Sequence, residues 1–517
     1  MARMYALLLV LASAFAVVSA AAGPIDPHNP PMGRFADDWM EIHMLGGKVG
    51  YGHSTMSRDG DKIRTAMTMR MRIGRGAQPV EISVTSGTTE TLSGKPISFY
   101  SETSASLIKT TTKGTIKDGK VTLVFSQFGD IETTYDFEPG SVMTWGQFRE
   151  GLLRGFEEGT TYTQRVYSPD LRPDASIDAV TTVAGMETIE VAGRRLEARK
   201  VTVTMKTRIG PMTLVSYVDR EGSPIKSVMP IAGIGDIVMY RCDEEKALRE
   251  FVPPEFFVSS VIRAGRSIDT RRAQRIKYRI TALSQDVVLD DLPTTGMQTP
   301  VSPDGRSVEL VVRRQPYRAL TDGPRDGATP ARSDPVGTAG SKPDMSEYLS
   351  SNLMMNIEDA ELIKLAARAA GGESEPFALA DRLRRFVTDY ITNKTLDIGF
   401  ATAGEVCRTR EGDCSEHGVL LAALGRIHKL PSRVVVGLAY VPRLGEARDV
   451  FGYHMWTQFF IDGRWIDYDA ALRETDCSPT HIAFAVSSLK DAGLADLSLP
   501  LIYKIGGIAI EILDIEE

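Results

Sequence analysis

The tightest constraint in this chain of 517 residues is two residues long. Asp462-Gly463 separates YHMWTQFFI from RWIDYDAA, two stretches rich in aromatic and β-branched residues, and an Asp-Gly pair in that setting is the strongest short-range hairpin signal. If the pair forms the loop, Ile461 lies opposite Arg464 and every further partner follows by parity, so Trp456 faces Asp469. Side chains alternate across a strand, which puts His454, Trp456 and Gln458 on one face with Ala471, Asp469 and Asp467. Asp469 is then the diagonal neighbour of His454, roughly 7–8 Å away between Cα atoms and within reach of an imidazole leaning toward it. Asp467 lies one step further off, and a bulge would promote it.

Just upstream, REGDCSEHGVLLAALGRIHKLPSRVVVGLAY reads as a buried helix followed by a strand. Asp413 can cap the helix with Glu416 three residues on, the capping-box spacing, and Val419, Leu420, Ala423, Leu424 and Ile427 recur with a helical period. Cys414 falls at the first helical position. There the unpaired backbone N–H groups and the positive end of the helix dipole favour a thiolate over a thiol, and the same donors can hold an oxyanion. Cys414 by itself could be a small buried residue, as free cysteines usually are. With a histidine and an aspartate arriving on one hairpin face downstream, the order Cys, His, Asp is that of a thiol-nucleophile triad.

The other histidines have plainer readings. His417 is taken as structural rather than a rival base, and His428 and His481 as surface or loop positions. Trp456 is expected to pack over the site as a wall. Zinc is the other use for these residue types, but Cys407, Cys414 and His417 lack the paired Cys-x₂₋₄-Cys spacing of closed structural sites. No Asp/Asn cluster has the loop spacing suited to calcium, so neither a metal nor a cofactor is expected.

Together these stretches resemble the catalytic core of the transglutaminase-like superfamily, a circularly related cousin of papain-type cysteine proteases. GDCSEHGVLLAAL, the LPSRVVVGLAY strand, YHMW and the tryptophan four residues before the acidic position in WIDYD carry the resemblance, over about residues 345–495. It implies Cys414 as nucleophile, His454 as general base and acid, and Asp469 as the acidic member. Where many members have Asp-Pro-Thr, this chain has Asp469-Ala470-Ala471, so its turn departs from theirs. The resemblance also implies an upstream residue that helps hold an oxyanion, for which Tyr390 is the candidate.

The N-terminus sets the compartment. Arg3, an apolar run from Met4 to about Val18 and then small residues make a secretory signal peptide over 1–22. The run is short for a membrane span, and no cysteine follows that could carry a lipid. The mature protein is therefore expected to be exported, to the periplasm or beyond the cell, without a stable membrane span. A net charge of −7 without a basic run excludes nucleic acid as an expected partner, and four cysteines are too few for a disulfide scaffold, although Cys407 and Cys477 could pair.

From 33 to 250 the pattern alternates. Ile63, Thr65, Met67, Met69, Met71 and Ile73 line one face of a long strand, and similar runs follow, interrupted by helical spacing from Trp145 to Leu153. A large antiparallel meander is expected. The region resembles the curved sheets of bacterial periplasmic lipoprotein carriers, with YVDREGSPIKS as a turn between late strands, which implies a concave face for a lipid or peptide ligand; the equal alternative is a sheet that merely presents the enzyme or an accessory binding surface. Residues 251–320 read as a smaller β-rich module, 321–344 as a Pro/Gly-rich flexible linker and 496–517 as a C-terminal extension. Before the cysteine come helices, one ending at Gly371-Gly372 and another starting at Pro376, then a capping box at Thr402 and Glu405.

The fold class expected is thus multidomain, an N-terminal antiparallel all-β region followed by an α+β transglutaminase-like catalytic domain. The expected function is thioester acyl transfer on a protein or peptide substrate, as protease, amidase or glutamine acyltransferase. The rival is a non-catalytic extracytoplasmic binding protein that uses its β region.

Overall fold

The computed structural model describes residues 25–254, 261–315, 344–394, 401–490, Lys504 and 506–517, apart from breaks of one to three residues. The expected leader and all of the expected linker but Asp344 lie outside them. The chain forms two compact units, residues 1–256 and 257–517.

The first unit is one antiparallel sheet of fourteen strands, from Gly33–Met44 to Gly235–Cys242. The meander expected from the alternation runs outward from the first strand in sequence order as far as Asp130–Asp136. A second meander runs outward from Gly235–Cys242 in reverse order to Thr161–Val166, and the two are joined by pairing of the first strand with the last, Trp39 opposite Cys242. In the strand Lys62–Arg75, alternate residues Ile63, Thr65, Met67, Met69, Met71 and Ile73 are buried. Met67, Met69, Met71 and Ile73 join Met40, Ile42, Met44, Met229 and Met239 in a methionine-rich core, while Ile63 packs with Phe35 and Trp145. Unbranched, polarizable side chains fill the irregular space under a twisted sheet.

The helix Thr144–Arg154 has no side-chain cap of its own, because Met143 stands at the cap position. Glu90, fully buried on the strand Gln78–Thr91, supplies one from the sheet: it accepts from Trp145 N at 2.7 Å and Gly146 N at 2.9 Å, and from Thr88 Oγ1 at 2.7 Å. Burial outweighs those bonds and pushes the Glu90 carboxyl up to about 7.

The second unit layers helices, a sheet and a second sheet. The helices Ala360–Ala370, Pro376–Tyr390, Ala403–Thr409 and Cys414–Ile427 pack their apolar stripes on one face of a five-stranded sheet, where Leu362, Leu383, Val406 and Leu420 meet Val434, Phe459 and Tyr468. That sheet contains Ser432–Leu444, Ala447–Ile461, Arg464–Tyr468 and His481–Ser487, with the short strand Ile262–Arg263 at its edge. Its other face carries Leu438, Tyr440, Phe451 and Phe484, which share a core with Ile276, Tyr278, Leu310 and Ile508 of a four-stranded sheet.

Here the structure differs from the expected division. The stretch read as a separate module, 251–320, supplies three strands of the four-stranded sheet, and the stretch read as an extension, 496–517, supplies the fourth, Ile508–Glu516, paired antiparallel with Arg275–Ala282. Both contribute to one core with the five-stranded sheet, so both belong to the unit that holds the cysteine. Gln298 ties this sheet to the strand His481–Ser487 by accepting from Ala483 N at 2.8 Å and donating to Ala483 O at 2.9 Å. Among the described residues no helix is long and apolar enough to cross a membrane.

Candidate active site

The hairpin register follows from its turn. Asp462 and Gly463 have φ of 50° and 79°, the doubly positive pair that matches the strand twist, and Ile461 pairs with Arg464, Phe459 with Ile466 and Gln458 with Asp467. The strand ends at Tyr468. The chain then turns tightly, Asp469 and Glu474 exchanging backbone hydrogen bonds of 2.8 Å each.

That turn puts Asp469 at the centre of a fully satisfied carboxylate site. Oδ1 accepts from the backbone of Ala471 at 2.8 Å and of Leu472 at 2.9 Å, which fastens the turn without the proline usual in the resembling family. Oδ2 accepts from His454 Nε2 at 2.6 Å and from His481 Nε2 at 3.0 Å. Burial alone would raise the Asp469 pKa, but the field and hydrogen bonds of His454, joined by those of His481, hold it far below the usual carboxylate range. With Nε2 committed to Asp469, Nδ1 is the nitrogen of His454 left for proton transfer.

Asp467 has the opposite fate two residues away. Trp456 Nε1 donates to its Oδ1 at 2.6 Å and Gln458 Nε2 at 2.9 Å, yet burial dominates and raises its pKa. A register without a bulge leaves Asp467 holding the wall rather than His454. The Trp456 ring lies nearly parallel to the His454 ring with centroids 6.2 Å apart, and edge-on to His481 at 5.1 Å.

Cys414 begins the helix Cys414–Ile427, capped as the spacing predicts: Asp413 accepts from Ser415 N at 2.9 Å, and Glu416 accepts from Asp413 N at 2.9 Å. Gly412 sits at φ 149°, and a Cβ there would lie 2.2 Å from Glu416 Cβ, so the glycine of the GDC sequence lets the capping side chain fold back. Glu416 has no exposed surface and also accepts from Ala401 N at 2.8 Å. Burial, then the neighbouring Asp413, push it up to about 8.

The helix meets the histidine strand at its first turns. Thr457 Oγ1 donates to Gly418 O at 2.9 Å, and a Cβ on Gly425 would lie 2.1 Å from the Phe459 ring, so the helix axis approaches the strand as closely as glycine permits. Cys414 is one helical turn before Gly418, and His454 is three residues before Thr457. His417 Nδ1 donates to Asp413 O at 2.6 Å, and burial lowers the His417 pKa against the field of Asp469.

Not all expected residues gather here. The Tyr390 hydroxyl donates to Cys407 O at 2.6 Å and its ring stacks on Phe386, which commits it to the helix layer and removes it as the oxyanion residue. Cys407 and Cys477 are free and buried. His428 bonds Ala366 O at 2.9 Å. His481, read as a surface or loop position, is instead buried on Asp469. The signal for it was available: the apolar run IAFAV after Cys477-Ser478-Pro479-Thr480 reads as a buried strand opened by turn residues.

Among the described residues, two groups have donor atoms within 4.8 Å of one another: His454, Asp469 and His481, and Glu474, Cys477 and His481. As arranged, each Nε2 donates to the Asp469 carboxylate, and a ring nitrogen bearing a proton has no lone pair for a metal.

Residues 363–470 match the profile of the Transglutaminase-like superfamily. No curated protein matches the chain. Among solved structures the chain is similar to a candidate cysteine protease from Cytophaga hutchinsonii, at 14% identity and a TM-score of 0.27, covering 47% of this chain and 89% of that one. It is also similar to a β-barrel-like protein of a domain of unknown function, DUF1849, from Brucella abortus, at 11% identity and a TM-score of 0.31, covering 41% and 94%. A candidate protease from Parabacteroides distasonis follows at 10% identity and a TM-score of 0.19, covering 73% and 68%.

Proposed function

We propose that this protein, whose residues 363–470 carry a transglutaminase-like core, is a cysteine-nucleophile acyl-transfer enzyme that acts on carboxamide or peptide carbonyls in an exported setting. One observation carries the reading: a fully buried Asp469 carboxylate bonded to His454 Nε2 at 2.6 Å, on a strand packed against the first turns of the Cys414 helix.

In this reading Cys414 gives its proton to His454 Nδ1, and the thiolate attacks the carbonyl carbon. Backbone N–H groups at the helix start stabilise the oxyanion as it forms. The imidazolium then protonates the leaving amine or ammonia as the C–N bond breaks, which leaves a thioester. Water or a primary amine, deprotonated by His454, attacks the thioester and returns the thiol. Asp469 keeps the ring in one tautomer throughout.

The cysteines themselves supply the test, because three of the four are poor nucleophiles. Burial raises the pKa of Cys407 and Cys477, and burial with Glu41 pushes Cys242 up to about 11. Iodoacetamide at neutral pH is expected to alkylate Cys414 alone, with a rate that falls at least about tenfold in His454→Ala as the ion pair is lost. Slow labelling spread over all four thiols would favour the binding-protein reading instead. Incubation with casein and a fluorescent amine, followed by measurement of incorporated label, released ammonia and new termini, separates amine from water as the acceptor.

A further inference from the structure

We propose that His481 serves the same site as a positioning residue, a fixed positive charge on the same Asp469 oxygen that faces His454, which weakens the hold of that carboxylate on the His454 proton. The inference rests on the thiol-enzyme reading above.

Hydrogen-bond accounting carries it. His481 Nε2 lies 3.0 Å from Asp469 Oδ2, the oxygen that also faces His454, and Nδ1 lies 3.2 Å from the backbone oxygen of Ser478. A carboxylate and a carbonyl only accept, so each needs an N–H. A neutral imidazole has one N–H and an imidazolium has two. With 1% of its side chain exposed, His481 has no water to take up the difference. The ring is therefore charged.

Its surroundings agree. Burial by itself would lower the pKa, but Asp469, bonded to the ring, and Glu474 raise it to about 9. Glu474 and Cys477 place donor atoms within 4.8 Å, Asp467 feels its charge, the Trp456 edge faces the ring, and the ring centroids of His454 and His481 are 5.9 Å apart. From the Cys414 helix, His417 feels the same Asp469.

The consequence concerns His454. Asp469 alone would bind the His454 proton tightly, which suits a structural ion pair and slows a base that must release that proton each cycle. A cation on the same oxygen cancels most of that pull. At about 6 Å and an effective dielectric near 20, one unit charge is worth on the order of one to two pH units in the His454 equilibrium.

The pH profile of Cys414 alkylation by iodoacetamide tests this without a known substrate. His481→Gln keeps a side-chain N–H for Asp469 and removes the charge. The upper inflection, where His454 loses its proton, is expected to move up by about one to two pH units. An unmoved inflection with a uniformly slower rate would assign His481 a structural role only and overturn the proposal. A wild-type protein with no selective Cys414 labelling would instead remove the enzyme reading. Ring-nitrogen NMR of the otherwise native Cys414→Ser protein needs no His481 variant: two protonated His481 nitrogens at neutral pH are expected, and a neutral tautomer overturns the inference.

Discussion

Each unit of this protein buries a carboxylate completely, and the two behave oppositely. Glu90, inside the fourteen-stranded sheet, meets a hydroxyl and two backbone N–H groups and has its pKa pushed up to about 7. Asp469, between the helices and the five-stranded sheet, meets two backbone N–H groups and two imidazoles and is held far below the usual range. Neutral donors do not offset the loss of water around a charge, whereas a charged partner does. The first unit uses its carboxylate to cap the start of a helix. The second keeps a permanent negative charge where an imidazole can use it.

The comparison breaks most visibly at Asp469. Asp469→Asn removes the charge that both imidazoles share, and turnover in the casein and amine assay is expected to fall on the order of 10³–10⁴-fold through loss of the His454 tautomer. It also leaves His481 buried without its counter-charge, which costs about 3–5 kcal/mol in denaturant unfolding. A loss of stability without a loss of turnover would place the acidic function elsewhere.

Glu90→Gln sharpens the same contrast by pH. The Glu90 pKa rises on folding from 4.5 to about 7, so the folded protein keeps a proton that the unfolded chain releases. Its contribution to stability is full below 4.5 and declines as pH rises to about 7, by about 3 kcal/mol in all. The wild-type minus variant difference in calorimetric stability should change across that window and be flat above it. Glu416, raised to about 8, and His481, raised from 6.5 to about 9, should keep a falling slope in the second unit beyond neutral pH in both proteins. For His481 the contribution is full below 6.5 and is lost as pH rises through about 9. A difference that persists unchanged through pH 8 would mean that Glu90 is ionised in the fold.

The smallest effect belongs to the methionine core. Met69→Leu conserves volume beside Val84 and should cost less than about 1.5 kcal/mol, with Cys414 alkylation unchanged. A larger cost would show a core packed more tightly than methionine-rich interiors usually are.

Much of the candidate site was legible because it is built from neighbours in sequence. The Asp462-Gly463 turn dictated the partner of each residue as far as Tyr468, and one residue beyond it the diagonal from His454 reached Asp469. The boxes at Asp413 and Glu416 and at Thr402 and Glu405 were spelled out in three-residue spacings. His481 was missed because its role depends on Asp469, which the chain reaches only through a turn whose geometry is not local to either residue. Tyr390 was misplaced because a helical stripe tells which face is buried and not which backbone oxygen its hydroxyl will find. The strand Ile508–Glu516 looked like an appendage because its partner lies far earlier in the chain, as Arg279 to Glu511 is 232 apart.

By itself, then, the order of residues determined what repeats with a short period: alternation in the sheet, the helical stripe, the caps, the hairpin register and Cys414 at a helix start. Only the tertiary structure decided which carboxylate keeps its charge, which tryptophan and histidines surround it, and which distant strands complete each sheet. The reason is the range of the forces. Backbone geometry acts between residues a few positions apart, while burial and the charges that oppose it act between groups that the folded chain alone makes neighbours.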